Sequence, residues 1–227
     1  MGLSEEIMWD FQSQAVSEDI LDYYNIKNTL IPHVVDSIGD QGTVSDDMVE
    51  RFGFGKDIKV SYRAGDQPNN AFSLNVLEPG EIAATAGTSA VIYSVTDKNI
   101  TDLNNRINTF LHCLNSNTSK RNGLLLCING SGIAYSWIKS LLKEKSYKEM
   151  DIKSEKINSP EGIKFYPFGN GSERLFGNKK IDSHLLGLDF NKHNNNHIIR
   201  SVLEGISFSL CYSCLLYTSD AADDMAS

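Results

Sequence analysis

The chain has 227 residues, enough for one large domain or two small ones. Apolar residues make up 41% and charged residues 22%, the balance of a globular protein, which excludes a disordered or collagen-like chain. A net charge of −8 argues against a general nucleic-acid or anionic-membrane binder, although a nucleotide needs only a local anion site. No uninterrupted apolar run approaches the ~20 residues of a bilayer span, and the N-terminus lacks the basic stretch and apolar core of a secretory signal.

In chain order, Ile20, Leu21, Tyr24 and Ile26 predict a short helix. A loop around Pro32 and Gly39 follows, then a helix from Ser45 to Phe52, opened by an N-cap serine and two acids. Arg51-Phe52-Gly53-Phe54-Gly55-Lys56 superficially evokes a phosphate loop. It lacks the spacing and the hydroxyl residue after the lysine, and it follows a helix, so it reads as a C-cap turn. Ile58 to Tyr62 alternates like a strand and runs into Gly65-Asp66-Gln67. Glu81 to Thr85 and Ala90 to Val95, joined by Gly87-Thr88-Ser89, predict a β-hairpin. Further strands are expected at 107–112 and 123–128. Gly130-Ser131-Gly132 then opens a helix with Ile133, Trp137, Ile138, Leu141 and Leu142 on one face. A short strand over 164–168 and a polar loop over 191–197 precede a helix with Ile198, Val202, Leu203, Ile206 and Leu210 on its apolar face. The alternation of strands and helices predicts an α/β or α+β class.

Cys113, Cys127, Cys211 and Cys214 are too few and too scattered for a disulfide scaffold, and no second ligand pair accompanies Cys211 and Cys214. A reducing, cytoplasmic compartment and no metal-binding residue are therefore expected. Trp9, Trp137, Tyr23 and Tyr24 read as core or interdomain packing. His112, His184, His193 and His197 read as surface or capping residues, and Glu173 with Arg174 as a structural ion pair.

Three turns carry chemistry. Gly65-Asp66-Gln67 after a strand lets a carboxylate project into a cleft. Gly87-Thr88-Ser89 between two strands offers amides and two hydroxyls to an anion. Gly130-Ser131-Gly132 adds more amides and the positive end of a helix dipole. Together these are the parts needed to transfer a phosphoryl group to an alcohol.

Taken in order, Gly65-Asp66-Gln67, Glu78-Pro79-Gly80, Gly87-Thr88-Ser89 and Gly130 through Trp137 resemble the FGGY carbohydrate kinases, as do 165–174 and the pair of segments at 183–188 and 197–204. The local wording at 62–71 and 124–130 is similar to the xylulokinases of the Bacteroides type. The resemblance implies an actin/hexokinase/Hsp70-like (ribonuclease-H-like) fold. It makes residues 1–75 the end of the sugar-binding domain and 76–213 the first part of the nucleotide-binding domain. It implies that Asp66 is the catalytic base, that Asp66 and Gln67 bind the sugar, and that Gly87, Thr88 and Gly132 bind ATP. ATP and Mg²⁺ are the implied cofactors, and D-xylulose, phosphorylated to D-xylulose 5-phosphate, is the implied substrate. Glycerol, ribulose, rhamnulose or gluconate kinases and a non-catalytic protein of the same fold are the alternatives. No nucleic-acid or membrane partner is implied, and a homodimer is possible in the intact parent.

The resemblance also implies a longer parent, with a further phosphate hairpin before residue 1 and an adenosine-cradling segment after residue 213, so that the chain alone would be inactive. Residues 214–227 read differently from the rest. From Cys214 to Asp224 they resemble the translation of a transposon-type sequencing adaptor, a tail expected to have no partner surface.

Overall fold

The computed structural model describes residues 2–5, 7–116 and 118–218; Met1, Glu6, Asn117 and residues 219–227, which hold most of the predicted tail, lie outside the described residues. The chain forms two compact units. The first comprises Met1–Ala83, Tyr93–Ile100 and Thr109–Leu124, and the second Ala84–Ile92, Thr101–Asn108 and Leu125–Ser227.

The first unit opens with α1 (Gly2–Glu5) and a small hairpin of β1 (Trp9–Asp10) and β2 (Ala15–Val16), paired Trp9 to Val16. Helix α2 (Glu18–Tyr23) is capped by the Ser17 hydroxyl, which accepts the Ile20 N–H. Helix α3 (Asp46–Phe52) ends at Gly53, whose left-handed backbone sends its N–H to the Val49 carbonyl, so 51–56 is a helix terminus as expected. Tyr23 and Tyr24 are exposed, so neither is a core residue.

The strand expected at Ile58 to Tyr62 is reduced to two isolated bridges, Thr43 to Lys59 and Ile38 to Tyr62. Its partner segment contains Gly42 at φ 100°, which breaks the regular ladder. Asp66 consequently does not end a strand. It is the first residue of α4 (Asp66–Ser73), with Gly65 at the N-cap and Pro68 in the first turn, where a missing N–H costs no helical hydrogen bond. His112, expected at the surface, is completely buried. Nε2 bonds the Val76 carbonyl at 3.1 Å and Nδ1 accepts the Leu114 N–H at 3.2 Å.

Strands β3 (Ile82–Ala86), β4 (Ala90–Thr96), β5 (Asn108–Leu111) and β6 (Asn122–Ile128) make a sheet of order β3–β4–β6–β5. The expected hairpin is its β3–β4 pair. The interior strands β4 and β6 are the most buried, as befits strands covered on both faces.

The second unit adds α5 (Ser131–Leu141), α6 (Tyr147–Glu155), β7 (Lys164–Tyr166), β8 (Ser172–Glu173), β9 (Lys179–Lys180), β10 (His184–Leu186) and α7 (Asn195–Thr218). β7 pairs antiparallel with β10, and β8 with β9. Its core is Ile138, Met150, Phe165, Ile199 and Val202. Only Ile138 of the expected α5 stripe is deeply buried; Ile133, Leu141 and Trp137 (56% exposed) are not.

Helix α7 departs furthest from its apolar pattern. Its buried row is Ser201, Gly205, Ser209 and Ser213, with Ile199 and Val202 beside it, while Ile198, Leu203, Ile206 and Leu210 are half-buried. The cause is close approach: a β-carbon on Gly205 would stand 2.2 Å from the Phe165 carbonyl oxygen. Side chains near that contact must be small, and the Ser201, Ser209 and Ser213 hydroxyls turn back onto the carbonyls of Ile198, Ile206 and Ser209. By length and composition α7 could cross a membrane, but so can the core helix of a soluble protein. Here it packs on β7, α5 and α6 and carries an Arg200–Glu204 ion pair. In the predicted tail Leu216 is 7% exposed, whereas Leu215 is exposed.

Candidate functional site

In the second unit the Gly87-Thr88-Ser89 turn is closed by the Gly87 N–H donating to the Ser89 carbonyl at 3.0 Å. The start of α5 lies directly on it. Ile133 donates its N–H to the Thr88 carbonyl at 3.0 Å, and a β-carbon on Gly132 would meet the Gly87 carbonyl oxygen at 2.0 Å. Glycine is thus required at 132 by contact rather than by backbone dihedral. Gly87, Thr88 and Gly132 line one hollow of about 380 Å³, with Thr88 exposed to it. The structure therefore brings these three predicted residues together.

Two tyrosines that sequence reasoning passed over wall the same hollow. Tyr135 and Tyr147 stack with ring centroids 5.4 Å apart. The Tyr135 hydroxyl donates to Asp151 at 2.6 Å, and burial followed by that bond raises its pKa. Tyr135, three residues after Gly132, was legible from helical spacing; Tyr147 depends on the turn between α5 and α6 and gave no signal.

Glu173 was misread. It forms no ion pair with Arg174, whose guanidinium donates to Asn108 at 2.8 Å. The Glu173 carboxylate, completely buried, receives the Asn129 N–H at 2.9 Å and also bonds the Gly130 N–H. Burial raises its pKa above the ordinary carboxylate value, and the two amides oppose that rise.

In the first unit Asp66 is exposed, and its Oδ1 receives the Gln67 N–H at 2.7 Å. Gln67 is half-buried. One turn on, Asn69 accepts the Tyr62 hydroxyl at 2.7 Å; burial first, and then Cys113, push the Tyr62 pKa up to about 12. A hollow of about 600 Å³ lined by Pro32, Asp36, Gln41 and Arg63 ends at Gly65, one residue short of Asp66. Among the described residues no group of three His, Cys, Asp or Glu is placed to hold a metal ion.

No family model matches the sequence. The xylulose kinase of Lactococcus lactis subsp. lactis is 26% identical over 206 residues, which cover 90% of this chain and 40% of that protein. Among solved structures, xylulose kinase from Lactobacillus acidophilus superposes with a TM-score of 0.81 at 18% identity, over 94% of this chain and 42% of that one. Plasmodium falciparum glycerol kinase with ADP gives 0.81 at 21% identity, over 96% and 42%. The chain has the fold of the sugar kinases.

That is the actin/hexokinase-like α/β architecture that the resemblance implied. Gluconokinases and glycerol kinases are also relatives, at 27% identity, so the homologues are sugar kinases as a group. The chain spans about 40% of the length of the xylulose kinase relatives it matches.

Proposed function

We propose that the chain is the central part of an ATP-dependent sugar kinase that phosphorylates the primary alcohol of D-xylulose. Residues 1–75 then belong to the sugar-binding domain and 76–213 to the nucleotide-binding domain. The observation that carries the reading is the contact of Gly132 with the Gly87–Thr88 turn, which leaves an open hollow edged by backbone and a hydroxyl. Xylulose kinases among both the sequence relatives and the structural neighbours support the choice of sugar.

In this reading Asp66 takes the proton of the attacking hydroxyl and Gln67 holds the sugar. As the new O–P bond forms, the bond from the β,γ-bridging oxygen to the γ-phosphorus breaks and ADP leaves. Gly87, Thr88 and Gly132 hold the phosphates, and their uncharged, carboxylate-free edge suits a polyanion. Mg²⁺, arriving with the nucleotide, supplies neutralisation of phosphate charge. The cytoplasmic location and a homodimeric parent belong to the same proposal.

Glycerol or gluconate is the second reading, since those kinases match at like identity. A coupled ADP-release assay on the intact parent with D-xylulose, glycerol, gluconate, ribulose and rhamnulose separates the two. D-Xylulose is expected to give the highest kcat/KM, and the 227-residue chain alone no turnover. Equal or higher kcat/KM on another acceptor overturns the assignment of the sugar.

A further inference from the structure

Glu173 lies 44 positions beyond Asn129 in sequence, yet its buried carboxylate closes on the turn that precedes α5. Two more contacts fasten the same turn. The Asn129 side-chain amide donates to the Ser172 carbonyl at 2.7 Å, and the Asn170 amide donates to the Asn129 carbonyl at 2.9 Å. Gly130 is pressed against the chain on its other side, where a β-carbon would stand 1.3 Å from the Pro167 carbonyl oxygen. The turn therefore has little room to move while Glu173 holds its two amides.

Downstream, the same backbone reaches the candidate phosphate turn within three residues, through Gly132 against Gly87 and Ile133 N–H on Thr88. The contacts form one chain from Glu173 to Asn129–Gly130, to Gly132–Ile133, to Gly87–Thr88. Glu173 does not line the hollow. A buried carboxylate without a cationic partner is costly, and its persistence calls for a structural return at the groups it binds.

We propose that Glu173 is a positioning residue for the Gly87-Thr88-Ser89 turn, acting through the backbone of Asn129 to Ile133 and not by touching the ligand. The inference rests for its purpose on the nucleotide reading of that turn, but its geometry stands without it. Glutamine at 173 would present one carbonyl oxygen and one amino group to two N–H donors, so one bond becomes a clash of donors. Glu173→Gln should therefore loosen the turn while leaving the rest of the unit in place.

The test is amide hydrogen exchange on the full chain, read in peptides covering 84–92 and 129–136, with 198–206 of α7 as reference. Glu173→Gln is expected to speed exchange in the first two segments at least about tenfold, as the loss of one buried hydrogen bond implies, and to leave the third unchanged. Glu173→Met fills the same space without a misplaced polar atom and is expected to give the same pattern, which keeps the test open if the glutamine variant fails to fold. Unchanged exchange in all three segments, or equal acceleration in all three, overturns the proposal. Titration of the intact parent with MgADP is the second arm: Thr88→Val and Glu173→Gln should both weaken it. Loss with Thr88→Val alone overturns the role of Glu173. Absence of MgADP binding by the intact parent overturns the nucleotide reading, and the exchange pattern then still decides for or against Glu173.

Discussion

Ile133 donates its backbone N–H to the Thr88 carbonyl at 3.0 Å, tying the first turn of α5 to the β3–β4 turn. Gly132, one residue earlier, lies so close to Gly87 that a methyl group there would overlap its carbonyl oxygen. Gly132→Ala is thus expected to push the two turns apart, at a cost of about 1–3 kcal/mol for an overpacked contact. Urea unfolding measures the cost. A change below about 0.5 kcal/mol would mean that the contact yields freely.

The chemistry assigned to the two units separates in a pair of variants of the intact parent. Asp66→Asn keeps size and polarity but cannot take a proton, so kcat should fall by about 10²–10⁴ while ATP affinity survives. Thr88→Val should weaken ATP more than the sugar. Steady-state kinetics in both substrates read the pattern, and near-parental kcat in Asp66→Asn would remove the base assignment.

His112 sets an acid limit on stability. Burial, the largest effect, pulls its pKa below the ordinary 6.5, with Arg121 also lowering it and the Val76 carbonyl and Glu78 acting against the shift. Because the folded value lies below the unfolded one, the unfolded chain binds more protons between them. Stability contributed by neutral His112 is present above about pH 6.5 and is lost as pH falls from there through the depressed value. Protonation would also cost the bond from the Leu114 N–H to Nδ1. Melting temperature against pH in the parent and in His112→Gln checks this: the variant should show a shallower decline below pH 6.5.

Removing residues 214–227 should cost no more than the burial of one leucine, about 1.5–3 kcal/mol, because Leu216 is buried and Leu215 is not. Denaturant unfolding of the shortened chain gives the value. A larger loss would mean that the tail was selected with the rest of the protein.

Between β7 and α7 an apolar groove of about 400 Å³ leaves Phe208 67% exposed and Tyr212 half-exposed. A patch of this kind favours association of the chain. Phe208→Lys should lower the apparent mass at high concentration in light scattering without changing the melting temperature by more than a few degrees. An unchanged mass places the association elsewhere.

What the sequence disclosed and what it hid divide along one physical line. The Gly87-Thr88-Ser89 hairpin and the opening of α5 were legible because glycine and hydroxyl chemistry acts within a few residues. Asp66 was expected in a turn after a strand and instead opens α4, since Gly42 breaks the ladder from a segment distant in sequence. Adjacent opposite charges at Glu173 and Arg174 suggested a pair, whereas each side chain reaches a partner more than forty positions away. In α7, apolar spacing pointed to one face, and the nearness of the β7 backbone selected another.

The serine–glycine row of α7 repeats every four residues, while the helix turns once in 3.6. Each step therefore advances about 40° around the axis, and from Ser201 to Ser213 the row winds through roughly a third of a circumference. The covered side of the helix therefore turns along its length, so that no single straight face of α7 is the inward one. A side chain enlarged at any one of the four positions should therefore press on its surroundings in a different direction from the other three.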